Sequence, residues 1–314
     1  MTRVAVVGAG AIGGFLAAAL TKAGVPTVVV ARGEHAAAIA SGGLHVESDL
    51  GTFSVAADLR DASHIGDADY LLLAFKAHQW PEILPALAPY AGSATVVVTM
   101  QNGVPFWYER EPPLSSVDPG GEIGRLFADA QVVGCVVHVS GTVVAPGRVR
   151  QSGGLRYAFG NPGGGCDGRA AELVQLLQRA SLAAEADPDI RRTVWLKLVN
   201  NVGLNAVSVL RKATIAAMLS DPQARAHVRR LMDEALRVGQ AMGVVGEVDV
   251  DARIAYAARL DDVKTSMLQD FERGRALEAD PILGAVCELG ARYGVATPEV
   301  RAAYAALQRA EASG

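Results

Sequence analysis

The chain has 314 residues, more than one hydrophobic core normally organises, so two domains are the first expectation. Half of it is apolar and only 5% aromatic, a globular composition, and a formal net charge of -4 with no run of Lys and Arg excludes a sequence-independent nucleic-acid binder. Cys135, Cys166 and Cys287 form no CxxC pair and suggest neither a zinc site nor a disulfide framework. No stretch reaches the roughly 18 uncharged apolar residues of a membrane span, so a cytoplasmic protein without metal, membrane or nucleic-acid partner is expected.

The first residues are interrupted by glycines and carry no signal-type cleavage site. Val4 to Val7 form a short apolar run leading into Gly8-Ala9-Gly10-Ala11-Ile12-Gly13 and then a helical apolar pattern through Ala23, closed by Gly24. Strand, tight turn and helix in that order are the context in which GxGxxG reads as a dinucleotide fingerprint. Its first glycine permits the turn, its second lets the backbone approach a pyrophosphate, and its third allows close helix-to-strand packing. The next strand, over 27–30, ends at Ala31-Arg32, where an NAD-binding unit usually places an acid for the ribose 2'-hydroxyl. A cation there suits the 2'-phosphate of NADP, so Arg32 favours NADP, with Glu34 near enough to keep NAD open.

Residues 44–46 and 52–55 flank Asp49 to Gly51 as a hairpin, and 70–75 and 95–100 read as buried parallel strands. These end at Lys76 and at Gln101-Asn102-Gly103, and ligands of open α/β sheets bind beyond the carboxyl ends of strands. Lys76 and Asn102 are therefore candidates to touch cofactor or substrate, against plainer readings as a surface lysine and an Asn-Gly turn. Residues 104–130 look like an irregular insertion with no assignable chemistry. Beyond them, glycines separate four expected short strands at 131–140, 142–145, 149–152 and 155–159, followed by a Gly-rich loop and a helix over 170–180. A boundary near Asp187-Pro188 divides the chain into expected domains 1–187 and 188–314.

From Ile190 the pattern is helical almost throughout, punctuated by Pro222, Gly243, Gly246, Pro281, Gly294 and Pro298. Within it Lys197, Asn201 and Asn205 recur every four residues, a step of about 40° around a helix, so their heads share one narrow face. One cation and two amides suit a small molecule carrying oxygens. The spacing also fits the solvated side of a helix with Leu196, Val199 and Val202 turned inward. Asn, however, is a weak helix former, and two in register ask for a local reason. Further on, Ser266 three residues before Gln269 reads as a capping box, and Asp280-Pro281 as a helix start with Glu278 beside it.

By the order of these motifs the chain resembles the ketopantoate reductase (2-dehydropantoate 2-reductase) family over nearly its whole length. The resemblance is carried by GAGAIGG at 8–14, Lys76-Ala77-His78-Gln79, Gln101-Asn102-Gly103, the Lys197/Asn201/Asn205 helix, Thr265 to Asp270, an E-x-D-x-x-x-G element at 278–284, and Tyr293 to Pro298. It implies an α/β fold, with an N-terminal Rossmann-type dinucleotide-binding domain followed by an all-α C-terminal domain, and NADPH-dependent reduction of 2-dehydropantoate to (R)-pantoate. In the roles it implies, Lys197 is the general acid and Glu278 the carboxylate that holds and tunes it. Asn102, Asn201, Asn205 and Ser266 line the substrate site; Gly8, Ala9, Gly10, Ala11, Ile12, Gly13, Arg32, Lys76 and Asn102 bind the cofactor. The chain departs from the family at Leu283, where many members have Asn, and at Ala206, where many have Pro. Leu283 and the insertion at 104–130 motivate one alternative, a paralogue reducing another small 2-oxo acid or an imine; a second, of another class, is a non-catalytic NADP-sensing binding protein that kept the dinucleotide-binding half. Retention of both Lys197 and Glu278 favours an enzyme. The helical half is compatible with a self-contained domain or a homodimer.

Overall fold

The computed structural model describes residues 1–92, 94–259 and 262–313. They form two compact units, Met1–Gln101 with Ile123–Ile190, and Asn102–Glu122 with Arg191–Gly314. Among the described residues no helix is long and apolar enough to cross a membrane.

The first unit is a mixed α/β domain. In chain order it runs β1 (Val4–Val7), α1 (Ala11–Lys22), β2 (Thr27–Val30), α2 (Gly33–Gly42), β3 (Leu44–Ser48), β4 (Gly51–Val55), β5 (Asp58–Arg60), β6 (Tyr70–Leu73), α3 (Trp80–Leu87) and β7 (Val96–Thr99). It continues, after α4 (Glu122–Leu126), with β8 (Val132–Ala145), β9 (Arg148–Gly160), α5 (Gly168–Arg179) and β10 (Ala183–Ala186). All ten strands share one sheet of order β4-β3-β9-β8-β7-β6-β1-β2-β5, with β10 on β9. Six of them, β5-β2-β1-β6-β7-β8, pair in parallel. Counted in chain order these are 3-2-1-4-5-6, the doubly wound arrangement whose ligand crevice lies where the strand order reverses, here beyond β1 and β6. The apolar runs of β1, β2, β6 and β7 are buried at every position, as expected of parallel strands covered on both faces.

The expected hairpin forms, with Leu44 opposite Val55 and Ser48 opposite Gly51. The four short strands expected over 131–159 are instead two long antiparallel ones, β8 of 14 residues and β9 of 13. Their register shifts between His138 and Ser140, Ser140 and Gly141, and Val143 and Ala145. The glycines taken as strand ends mark these irregularities: a Cβ on Gly154, where φ is +67°, would stand 2.1 Å from the His138 carbonyl oxygen.

The second unit is helical: α6 (Ile190–Arg211), α7 (Ile215–Ser220), α8 (Pro222–Ala241), α9 (Val250–Ala257), α10 (Ser266–Glu272), a π-helical turn at Asp280–Gly284, α11 (Ala285–Arg292) and α12 (Pro298–Ala312). Asp221, Asp249 and Thr265 each accept a backbone N–H at the start of α8, α9 and α10. The cap of α10 is thus Thr265, through Leu268 N–H, and not Ser266, which stands one residue inside the helix. With Ala206 in place of proline, α6 runs unbroken for 22 residues. It packs on α8 through glycines: a Cβ on Gly203 would meet Met232 at 2.8 Å, and one on Gly239 would enter the Trp195 indole. Trp195, Val199 and Gly203 form that buried row. Lys197 is two residues on from Trp195, about 200° around the helix, so its row is turned away from α8.

The segment left unassigned by sequence, 104–130, divides between the units. Its part up to Glu122 belongs to the helical one and carries a buried aromatic anchor. Tyr108 stacks on Trp195 with ring centroids 5.9 Å apart, donates its hydroxyl to the Arg191 carbonyl at 2.9 Å, and lies under the Arg191 guanidinium at 4.2 Å. Downstream, the Glu288 carboxylate accepts from the backbone N–H groups of Ser115 and Ser116 and from the Ser116 hydroxyl. Burial pushes this carboxyl up, but those donors together outweigh it and hold Glu288 below the ordinary value.

Candidate active site

In the first unit the three glycines of the turn after β1 do three different things. Gly8 has φ +103°, and a Cβ there would stand 2.9 Å from the Phe75 nitrogen, so the turn lies against the chain leaving β6. A Cβ on Gly13 would stand 1.9 Å from the Gly8 carbonyl oxygen, which is how α1 folds back so tightly. A Cβ on Gly10 would meet nothing within 4 Å. That glycine is exposed at the N-cap of α1, where the unpaired first amides and the positive end of the helix dipole favour an anion. No acidic residue occupies the first turn to cancel that charge. Ala9 is buried, and Ala11 and Ile12 are half-buried beside the opening. The cradle fits a pyrophosphate.

Arg32 is the N-cap residue of α2 and is ion-paired with Glu82 of α3, with both side chains more than half exposed. An exposed pair of this kind is held by about 1 kcal/mol or less, so a phosphate can take the guanidinium over. Lys76 caps a 3-10 turn over Ala77–Gln79, its backbone N–H donating to the Gln79 side-chain oxygen at 3.0 Å. The Lys76 to Gln79 stretch therefore has a local folding role as well.

In the second unit Lys197, Asn102 and Glu278 form a chain. Lys197 Nζ donates to Asn102 Oδ1 at 2.9 Å, and Asn102 Nδ2 donates to Glu278 Oε2 at 3.1 Å. An ammonium only donates and a carboxylate only accepts, so the two partners fix which end of the Asn102 amide faces each of them. The backbone explains why Asn102 is there. Val104 N–H donates to the Pro281 carbonyl at 2.8 Å, and a Cβ on Gly103, where φ is +87°, would stand 2.4 Å from that same oxygen. Only glycine lets the Asn102 segment lie so close to the π-helical turn that follows Glu278. Asp280 of that turn is held in its own right by the Tyr304 hydroxyl at 2.5 Å. Burial, then this bond to a carboxylate, push the Tyr304 phenol well above its ordinary range.

Asn201 and Asn205 continue the Lys197 face of α6, Asn201 half-buried and Asn205 buried. The Asn205 carbonyl accepts the Ser208 hydroxyl at 2.9 Å, and Ser208 Oγ lies 2.6 Å from Thr265 Oγ1. This bond ties the start of α10 to α6 and so places Ser266, which is exposed. The Arg253 guanidinium braces α6 from α9, donating to the Leu196 carbonyl and to Asn200 Oδ1. Among the described residues the hydrogen bonds link Lys197, Asn102 and Glu278 directly, and Ser208 and Thr265 tie the Asn205 backbone to the start of α10, where Ser266 stands. Reading the sequence placed Gly103 and Thr265 in motifs without giving either a role, and it missed Ser208. An Asn-Gly pair signals a turn but not which backbone it must approach.

Comparison with known proteins covers both the N-terminal and the C-terminal parts of the chain. The profile described as "Ketopantoate reductase PanE/ApbA" matches residues 4–164, and "Ketopantoate reductase PanE/ApbA C terminal" matches residues 189–311. The chain is 40% identical to the 2-dehydropantoate 2-reductase of Mesorhizobium japonicum, over 98% of this chain and 97% of that one. The structure is similar to that of a provisionally named ketopantoate reductase from Ralstonia solanacearum MolK2 at a TM-score of 0.93, with 36% identity, 100% of this chain and 98% of that chain covered. A D-mandelate dehydrogenase solved with NADH and anilino(oxo)acetate shares the fold at a TM-score of 0.86 and 22% identity, with 99% of each chain covered.

Proposed function

The chain belongs to the ketopantoate reductase family, and we propose that within it the protein is a cytoplasmic 2-dehydropantoate 2-reductase that uses NADPH to form (R)-pantoate on the way to pantothenate. The observation that carries this reading is the bonded chain of Lys197, Asn102 and Glu278. Three free cysteines fit a reducing compartment.

Turning a ketone into an alcohol requires a hydride at carbon and a proton at oxygen. A bound nicotinamide dinucleotide supplies the hydride. As the carbonyl pair moves onto oxygen, the Lys197 ammonium neutralises the growing charge and gives that oxygen a proton, leaving an amine that solvent recharges. A lysine head is a freely turning point charge on a long stem, so it has to be aimed. Asn102 aims it through Oδ1, and Glu278 keeps the Asn102 amide turned the right way round. Asn201, Asn205 and Ser266 hold the substrate carboxylate and hydroxyl without adding a competing charge. At the turn after β1, Gly8 to Gly13 hold the pyrophosphate, Arg32 takes the 2'-phosphate in exchange for Glu82, and Lys76, with Asn102, contacts the cofactor.

A second reading, reduction of another small 2-oxo acid, is favoured by the fold shared with a D-mandelate dehydrogenase and by Leu283, fully buried where many family members carry Asn. Following NADPH oxidation with 2-dehydropantoate and a panel of other 2-oxo acids separates the two. The account expects 2-dehydropantoate to have the highest kcat/KM. An aryl or bulkier branched acid in first place supports the second reading, and no turnover on any of them overturns both.

A further inference from the structure

The dinucleotide loop is held from outside by a histidine that neither the glycine motif nor the proton-transfer chain includes. His35, the third residue of α2, is half-buried with both ring nitrogens engaged by backbone groups of the first unit. Its Nε2 lies 2.8 Å from the Ala9 carbonyl oxygen, and its Nδ1 accepts the Gly147 N–H at 3.1 Å. A backbone N–H can only donate and a carbonyl can only accept, so the proton sits on Nε2, which donates to Ala9. Burial agrees with this neutral form, holding the imidazole below its ordinary value.

The far side of the ring is anchored. Gly147 lies in the turn between β8 and β9, and its carbonyl accepts the His45 N–H at 2.9 Å, so that turn is tied to the start of β3 as well as to α2. The near side is where the consequence lies. The first intrahelical bond of α1 runs from Gly14 N–H to the Gly10 carbonyl, leaving the Ala9 carbonyl outside the helix ladder. The Ala9 N–H is bound by the Val30 carbonyl at 3.2 Å. In a planar trans peptide the C=O and the following N–H point in opposite directions, so whatever fixes the Ala9 carbonyl also fixes the Gly10 N–H. Gly10 is the residue above which a Cβ would meet nothing.

We propose that His35 is a positioning residue for dinucleotide binding: by holding the Ala9 carbonyl it keeps the Gly10 amide, and the start of α1 behind it, turned toward the pyrophosphate. This rests on reading Gly8 to Gly13 as the dinucleotide site. The sheet ladder closes without this bond, so its loss acts on cofactor affinity more than on folding. Because the pyrophosphate is common to both cofactors, NADPH and NADH lose equally, unlike the effect expected at Arg32.

The test uses the full chain and measures the Kd of NADPH and of NADH by fluorescence titration, with Tm, saturated kcat and the oxo-acid KM alongside. His35→Phe removes both bonds and keeps a ring; His35→Gln keeps an amide donor in reach of Ala9. In His35→Phe both Kd values are expected to rise together by about five- to tenfold, the worth of one such bond, with kcat and the oxo-acid KM within about twofold of wild type. His35→Gln is expected to recover most of that affinity. If His35→Phe does not fold, His35→Asn, whose shorter amide can meet Gly147 but not Ala9, is expected to show the same rise. Wild-type affinity in folded His35→Phe or His35→Asn overturns the proposal while the dinucleotide reading stands, as does a loss confined to one cofactor. A wild-type protein that binds neither NADPH nor NADH overturns both.

Discussion

In the proposed reading, Arg32 is where the choice between NADPH and NADH rests. It stands at the end of β2 with an extended backbone, and its guanidinium is lent to Glu82, 50 residues away in sequence, by an ion pair open to solvent. A 2'-phosphate carries more charge than the Glu82 carboxylate and is not limited to that geometry, so on this proposal it takes the guanidinium over. Arg32→Ala is accordingly expected to raise the Kd of NADPH by about tenfold or more while changing that of NADH by less than about threefold, read by the same titration. Equal losses for both cofactors would place the discrimination elsewhere. Arg32 was legible as a cation standing where an acid is usual, whereas Glu82 was not, because nothing local to either residue announces the other. Asn102 teaches the same lesson. Its residue type and its place after a strand made it a candidate, but its bridging role depends on Lys197, 95 residues on, and Glu278, 176 residues on.

Between elements, the Asn102 segment and the π-helical turn show how a site is held by backbone. The extra residue of a π turn is seldom favourable in itself and is often found where function requires a displaced carbonyl. Here the Pro281 carbonyl receives the Val104 N–H, with Gly103 pressed against it. Gly103→Ala would set a methyl into that oxygen at a positive φ, so the Asn102 amide has to move away from Lys197 and Glu278. The expected outcome is a fall in kcat of at least about tenfold with NADPH affinity kept, measured by steady-state turnover and titration. A fully active Gly103→Ala enzyme would remove Asn102 from the aiming role. Periodicity made the helices and the parallel strands readable, but it divided β8 and β9 into four pieces. A glycine can end a strand or mark a bulge within it, and only the partner strand distinguishes these. The 104–122 segment was opaque for a related reason: its anchor, Tyr108 on Trp195 and Arg191, is an irregular loop packing on a distant helix, with no period to detect.

At the scale of the whole molecule both units carry a device that weakens in acid. Burial lowers His35 in the first unit, and burial with nearby Arg230 and Arg211 lowers His227 in the second, against the opposing pull of Glu299. Each contributes stability that is present above the ordinary value of 6.5 and is lost as pH falls through the lower folded value. Glu288 adds in the same direction, its contribution lost as pH falls below the ordinary 4.5. Tm is therefore expected to decline steadily from about pH 6 to about pH 4, and a Tm that holds or rises over that range would contradict this. The order of motifs along the chain made the α/β-then-helical architecture and the family legible, because the fingerprint loop and the lysine helix each carry their signal in adjacent residues. Which groups support them was legible only in three dimensions. The claim that Lys197 delivers the proton is tested most directly by comparing wild type with Lys197→Ala for 2-dehydropantoate reduction at saturating NADPH. The account predicts turnover by wild type and a loss of roughly 10²-fold or more in the variant with NADPH affinity nearly unchanged. Unchanged turnover in Lys197→Ala would contradict it.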